Sequence, residues 1–271
     1  MKKNLKPDKK SVAILMALLF MFLIVLPTLS NPFHSLVKFI EKKRIIRSVK
    51  DYETLETDRL IIKYEKGNRD NAILTRDINE KYYNKISKMF NYDSKKKINI
   101  IIYSDGDKLL KNTRLKKGIP PLGVYYGGII NILSPEKWIK NKEEYKSIYE
   151  IKGPIVHEFV HLIIDEKTNG NYPIWLTEGM ALYTEYLTTG FEWNGGMTEQ
   201  GDITIKELNN NFHNIDQRVS YRKSFEIVKA ISDKWGIDKL NMILDNLGKG
   251  ENIKNTTKAV LKIDLYDIEK Q

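Results

Sequence analysis

Apolar and polar positions alternate around Leu60, Ile62 and Tyr64, with Arg59, Ile61 and Lys63 between them, and this period of two predicts a strand. Over residues 71–90 the spacing changes to that of a helix, with Ile73, Ile78, Tyr82, Ile86 and Met89 on its apolar side. The isoleucine-rich run Ile98–Tyr103 predicts a buried strand, closed by the turn signal Ser104-Asp105-Gly106-Asp107 and followed by a short helix. Gly118 to Pro121 breaks the chain again. Residues 123–133 are strand-like but interrupted by Gly127-Gly128, which points to a bulge or to close approach of another backbone. After Pro135 the pattern is helical to the end. Strands mixed with helices in one half and helices alone in the other predict an α+β fold, without internal repeats or low-complexity stretches.

The N-terminal pattern is of another kind. Five lysines precede an uninterrupted apolar run over residues 12–26, which Pro27, Thr28 and Leu29 extend towards bilayer-spanning length. Two readings compete: a signal peptide cut near Thr28-Leu29-Ser30, or an uncleaved signal anchor. The length of the run and the lack of an A-x-A site favour the anchor. The expected organisation is therefore a cytoplasmic basic N-terminus (1–10), a single-pass membrane segment (11–29), a basic juxtamembrane stretch (30–50) and an extracytoplasmic catalytic domain (51–271). Cleavage would instead release the domain as a secreted protein. Lys38, Lys42, Lys43, Arg44, Arg47 and Lys50 read as a solvated helix face, or as a cluster held against anionic headgroups. His34 is assigned no role.

Composition narrows the chemistry. With 271 residues and 41% hydrophobic content the chain can build one well-cored domain plus an appendage, or two small domains. Its net charge is +10, of which the first ten residues supply +4; the rest is spread thinly and accompanies no nucleic-acid-binding motif, so no nucleic-acid partner is expected. The absence of cysteine removes disulfides and thiolate metal sites, leaving His, Asp and Glu as metal donors.

Those donors meet in His157-Glu158-Phe159-Val160-His161, the pattern H-E-x-x-H. On a helix, residues four apart share a face, so two imidazoles can bind one zinc ion while the intervening glutamate lies close to an attacking water. Val156, Phe159, Val160 and Ile163 lie largely off that face and can bury the helix; Gly153-Pro154 suits its start. Catalytic zinc takes a third protein ligand. Glu178, in Pro173-Ile174-Trp175-Leu176-Thr177-Glu178-Gly179-Met180-Ala181, is the best candidate, because Gly179 and Ala181 allow two helices to approach closely. Glu185, Asp165 and Glu166 are rivals.

The pair HEFVH and WLTEGMA resembles the gluzincin metallopeptidases, and within them the peptidase MA-like family, whose members carry H-E-x-x-H followed by W-L-x-E-G-x-A. The resemblance spans residues 55–265, including the glycine-containing strand 123–133 and the helix around residues 221–235. It implies a thermolysin-like core, a single Zn2+ on His157, His161 and Glu178, and Tyr221 as the donor to the developing oxyanion, with Tyr183, Tyr186 and His213 as alternatives. The gap between His161 and Glu178 is shorter than in the aminopeptidase branch, and the exopeptidase signature of that branch is missing. The expectation is a zinc endopeptidase acting on peptides or proteins at the outer face of the cell membrane, with Glu158 as general base and the glycine-bearing strand as the edge that receives substrate. The alternative is a membrane-anchored, zinc-binding scaffold without activity.

Overall fold

The isoleucine run is the middle strand of a five-stranded mixed sheet. The computed structural model describes residues 32–94, 96–193 and 203–270. In chain order these form α1 (Pro32–Ser48), β1 (Glu53–Glu56), β2 (Leu60–Tyr64), α2 (Arg69–Met89), β3 (Ile98–Tyr103), α3 (Gly106–Asn112), β4 (Gly123–Tyr126), β5 (Ile129–Leu133), α4 (Tyr145–Lys152), α5 (Ile155–Thr168), α6 (Ile174–Thr189), α7 (Ile205–Asn211), α8 (Gln217–Trp235), α9 (Ile237–Gly248) and α10 (Ile253–Leu261). Strand order is β1-β2-β3-β5-β4, with β2, β3 and β5 parallel and the two edge strands antiparallel to their neighbours. The architecture is α+β: a small mixed sheet, then a largely helical C-terminal region.

β3 is apolar at nearly every position because both faces of the sheet are covered. Ile98, Ile100 and Ile102 join Ile130 and Ile132 in the main core with α2, α5 and α6. On the opposite face Ile101, Tyr103, Ile129 and Leu133 pack against Ile45 of α1, Val49 just after it and Leu109 of α3. The short β1, rich in exposed glutamate and threonine, carries no such signature and escapes sequence reading.

Residues 123–133 are two strands, not one interrupted strand. Gly127 and Gly128 take φ of +62° and +72°, the left-handed pair of a two-residue hairpin turn that matches strand twist. Close approach also occurs there: a Cβ on Gly127 would lie 3.1 Å from Ile45 and 3.2 Å from Glu41. α1 thus passes under the hairpin turn. Its first turn reaches the end of α5, where Ser35 donates to Asn169 at 2.8 Å and the His34 ring rests on Gly170.

The expected membrane placement is corrected. No helix among the described residues is long and apolar enough to cross a membrane, and residues 11–29, on which the anchor, the outer-face location and the membrane partner rested, lie outside them. Two cations of the basic stretch after it are engaged by the domain itself. Lys38 pairs with Asp165 at 2.7 Å and Arg44 with Glu41 at 2.8 Å, because α1 packs on the domain.

Candidate metal centre

α5 is apolar on most of its circumference, with Val156, Phe159, Val160 and Ile163 buried, while His157 and His161 on the remaining stripe are only partly buried. Pro154 precedes its first turn and Asn169 ends it in the left-handed conformation. His157 and His161 lie one turn apart on that stripe, ring centroids 4.7 Å apart.

α6 brings Glu178 opposite them. The approach depends on glycine: a Cβ on Gly179 would fall 2.3 Å from the Ser224 carbonyl oxygen, so α6 and α8 touch backbone to backbone. Glu178 Oε2 lies 3.2 Å from His157 Nε2 and 3.6 Å from His161 Nε2. Among the described residues these three form the metal-capable cluster, with one donor atom from each within 4.8 Å of the others. Tetrahedral zinc with ligands about 2.0–2.1 Å away spaces donors about 3.3 Å apart, so the set fits a small tetrahedral ion with one position open.

The outer ring nitrogens are also held. His157 Nδ1 donates to Glu185 Oε2 at 3.1 Å and His161 Nδ1 meets Thr177 Oγ1 at 2.6 Å. With the proton on Nδ1, each ring turns the lone pair of Nε2 inward. Burial pulls the His157 pKa down, but the Glu185 and Glu178 carboxylates outweigh it and hold the value well above the ordinary one. Glu178 is pushed up by burial and, more strongly in total, down by both imidazoles, ending below the usual carboxylate range.

Glu158 is buried at 5% exposure, and its Oε2 has no hydrogen-bond partner. Burial raises its pKa, opposed by the two histidines and by a bond from the Tyr125 backbone N–H. Its Oε1 lies against β4, where a Cβ on Gly123 would come within 3.0 Å. Strand register explains the donor. Leu133 N–H donates to Leu122 O at 2.9 Å, so alternation along the ladder makes Gly123–Ile132 and Tyr125–Ile130 the non-bonded pairs. The backbone groups of Gly123 and Tyr125 therefore point away from β5, towards the free edge.

Tyr221, in the first turns of α8, is half-buried between Trp193 and Phe212, with ring centroids 5.6 and 6.0 Å away. Burial, and then the nearby Glu178 carboxylate, push the pKa of its hydroxyl up. The rivals lie elsewhere. Tyr183 and Tyr186 pack edge-on against Phe225, and His213 is exposed in a 3-10 turn. Asp165 is buried under His34, Lys38 and Tyr125, and Glu166 accepts from Tyr92 at 2.6 Å.

Sequence reading missed the partners of the cluster: Glu185 as the acceptor for His157, Thr177, the Tyr125 amide and the Asp165 group. For Glu185 a signal exists, since it follows Glu178 by seven residues and so shares its helix face. For the others there is none within the local sequence.

Residues 139–271 match the model of the Peptidase MA superfamily. That span holds α4 to α10 with His157, Glu158, His161, Glu178 and Tyr221, and leaves α1 and the sheet outside it. No curated protein matches the chain. The matched span contains a His/His/Glu cluster suited to a metal ion.

Proposed function

We propose that the chain is a zinc-dependent peptidase in which His157, His161 and Glu178 hold one zinc ion, Glu158 is the general base and Tyr221 stabilises the developing oxyanion. The observation that carries this reading is the orphaned Glu158 Oε2 beside a converging His/His/Glu donor set. Two imidazoles and a carboxylate with an open position are the ligand set of catalytic rather than structural zinc.

When bound, zinc supplies a Lewis acid that polarises a carbonyl and makes water nucleophilic near neutral pH. Glu158 has Oε1 packed against β4 and Oε2 without a partner. The free oxygen takes the proton of the attacking water and later delivers it to the leaving amine. Burial brings the carboxyl's pKa closer to neutrality, which suits both steps. The Tyr221 hydroxyl, already beside Glu178, donates to the oxygen on which charge develops. An extended peptide pairs with the outward backbone groups of Gly123, which orients the scissile bond without demanding a particular side chain.

The test compares the wild-type chain with Glu158→Gln on a broad peptide library, together with zinc content. Expected are stoichiometric zinc in both and cleavage by the wild type alone. Lack of zinc in the wild type ends the reading, and equal inertness of two zinc-loaded proteins replaces it with a zinc-holding domain that does not hydrolyse peptides.

A further inference from the structure

The general base hangs on an edge strand. Glu158 packs on β4, where a Cβ on Gly123 would lie 2.9 Å from its Cγ and 3.0 Å from its Oε1, and β4 is paired to β5 on one side only. The ladder therefore leaves the lateral position of Tyr125 to other contacts.

Those contacts come from α1. The Tyr125 hydroxyl donates to Asp165 Oδ2 at 2.7 Å, across to the last turns of α5. Asp165 is 1% exposed and also takes Lys38 Nζ on Oδ2 at 2.7 Å and His34 Nε2 on Oδ1 at 2.6 Å. A buried carboxylate without a counter-charge is costly, and Lys38 supplies that counter-charge. On the other side of the strand Tyr126 donates to Glu41 at 3.1 Å, and Arg44 and Arg114 hold that carboxylate. Successive tyrosines pointing to opposite sides of β4 are thus each pinned to a carboxylate that α1 either carries or neutralises.

We infer that α1 belongs to the active-site apparatus: His34 and Lys38 act through Asp165 and Tyr125 as positioning residues that fix Glu158 for proton transfer. This rests on the peptidase reading above. It also means that the span matching the Peptidase MA superfamily does not contain everything its general base needs, since α1 and β4 both precede it. A cavity of about 270 Å³ opens beside the cluster between α1 and the hairpin, so a substrate-binding role for the same residues is the competing account.

The experiment uses the full chain with Tyr125→Phe, Lys38→Met and Lys38→Arg. Tyr125→Phe keeps the backbone donor and the ring while removing the tether; Lys38→Arg keeps the charge. In the metal-free proteins, hydrogen exchange at the Tyr125 amide is expected to quicken about tenfold in Tyr125→Phe and Lys38→Met, with Ile130 and Ile132 unchanged. In the zinc-loaded proteins kcat falls about ten- to a hundredfold, KM and zinc content stay within about twofold, and Lys38→Arg recovers most of the rate. A rise in KM at unchanged kcat overturns the inference in favour of substrate binding, and so does unchanged Tyr125 exchange. A zinc-loaded wild type that cleaves nothing overturns the peptidase reading as well. An active wild type with variants of equal kcat overturns this inference alone.

Discussion

Glu185 Oε2 sits 3.1 Å from His157 Nδ1, while Glu178 Oε2 sits 3.2 Å from Nε2 of the same ring. Two carboxylates seven residues apart on one helix therefore grip opposite nitrogens of one imidazole, and only one of them shares a donor cluster with His161. The outer carboxylate fixes the tautomer and the ring plane, and makes Nε2 more basic.

Glu185→Gln and Thr177→Val should consequently keep the fold but weaken zinc binding by about 10- to 100-fold each. Competition with a chromogenic chelator at neutral pH measures this. Unchanged affinity in both variants would remove the orienting role.

Tyr221→Phe removes one hydroxyl and leaves the ring between Trp193 and Phe212. We expect kcat to drop by about 10²–10³ with zinc content preserved, the usual effect of losing one oxyanion donor. Steady-state kinetics alongside metal analysis decide it, and a variant with full kcat would return Tyr221 to a packing residue.

Gly179→Ala forces a Cβ to 2.3 Å from Ser224 O, backbone against backbone, so no rotamer change relieves it. The α6–α8 contact must open. A loss of about 1–3 kcal/mol in unfolding free energy is expected, read from urea melts, with weaker zinc retention because Glu178 is the preceding residue. Wild-type stability in this variant would show that α6 can shift freely.

Glu41 makes stability pH-dependent. The Arg114 guanidinium beside it is the largest cause of a carboxyl pKa lowered from 4.5 to about 2, with Arg44 and Tyr126 adding to it against the upward push of burial. A value depressed in the fold stabilises above the unfolded pKa and is lost as pH falls through the folded one. The contribution is therefore full above about pH 4.5 and disappears between there and about 2. Glu41→Gln should lower stability at neutral pH by about 1–3 kcal/mol and flatten its decline across that acid window. Thermal melts from pH 2 to 7 test both halves. A parallel displacement of the two curves would assign the acid sensitivity to other carboxylates.

Local periodicity was enough for much of the outline. The isoleucine run is a strand covered on both faces, β3 spans that run, and β2 begins and ends where the alternation does. The helix predicted over 71–90 runs Arg69–Met89, a displacement of one or two residues at each end, where fraying and capping rather than pattern decide the boundary. The histidine pair was legible for the same reason: four residues are one helical turn, so no tertiary contact is needed to bring His157 and His161 together.

Glu178 was favoured over Glu185 by the small residues beside it and by the resemblance of its segment, not by spacing along the helix. Both occupy one face of α6, and the close contact of that helix with its neighbours decides which carboxylate meets Nε2. The tether of Glu158 was hidden more deeply, since Asp165 meets residues 131, 127 and 40 positions away in His34, Lys38 and Tyr125. A stretch read as a solvated helix face or a headgroup-binding cluster is a helix in which Lys38 and Arg44 pair with the buried carboxylates Asp165 and Glu41. Thus the sequence by itself determined β2, β3, the helix between them and the spacing of the two histidines, because each depends on periodicity along a single helix or strand. Only the tertiary structure decided which charges are paired, which glutamate turns inward and what holds the general base, because those depend on how separate elements pack.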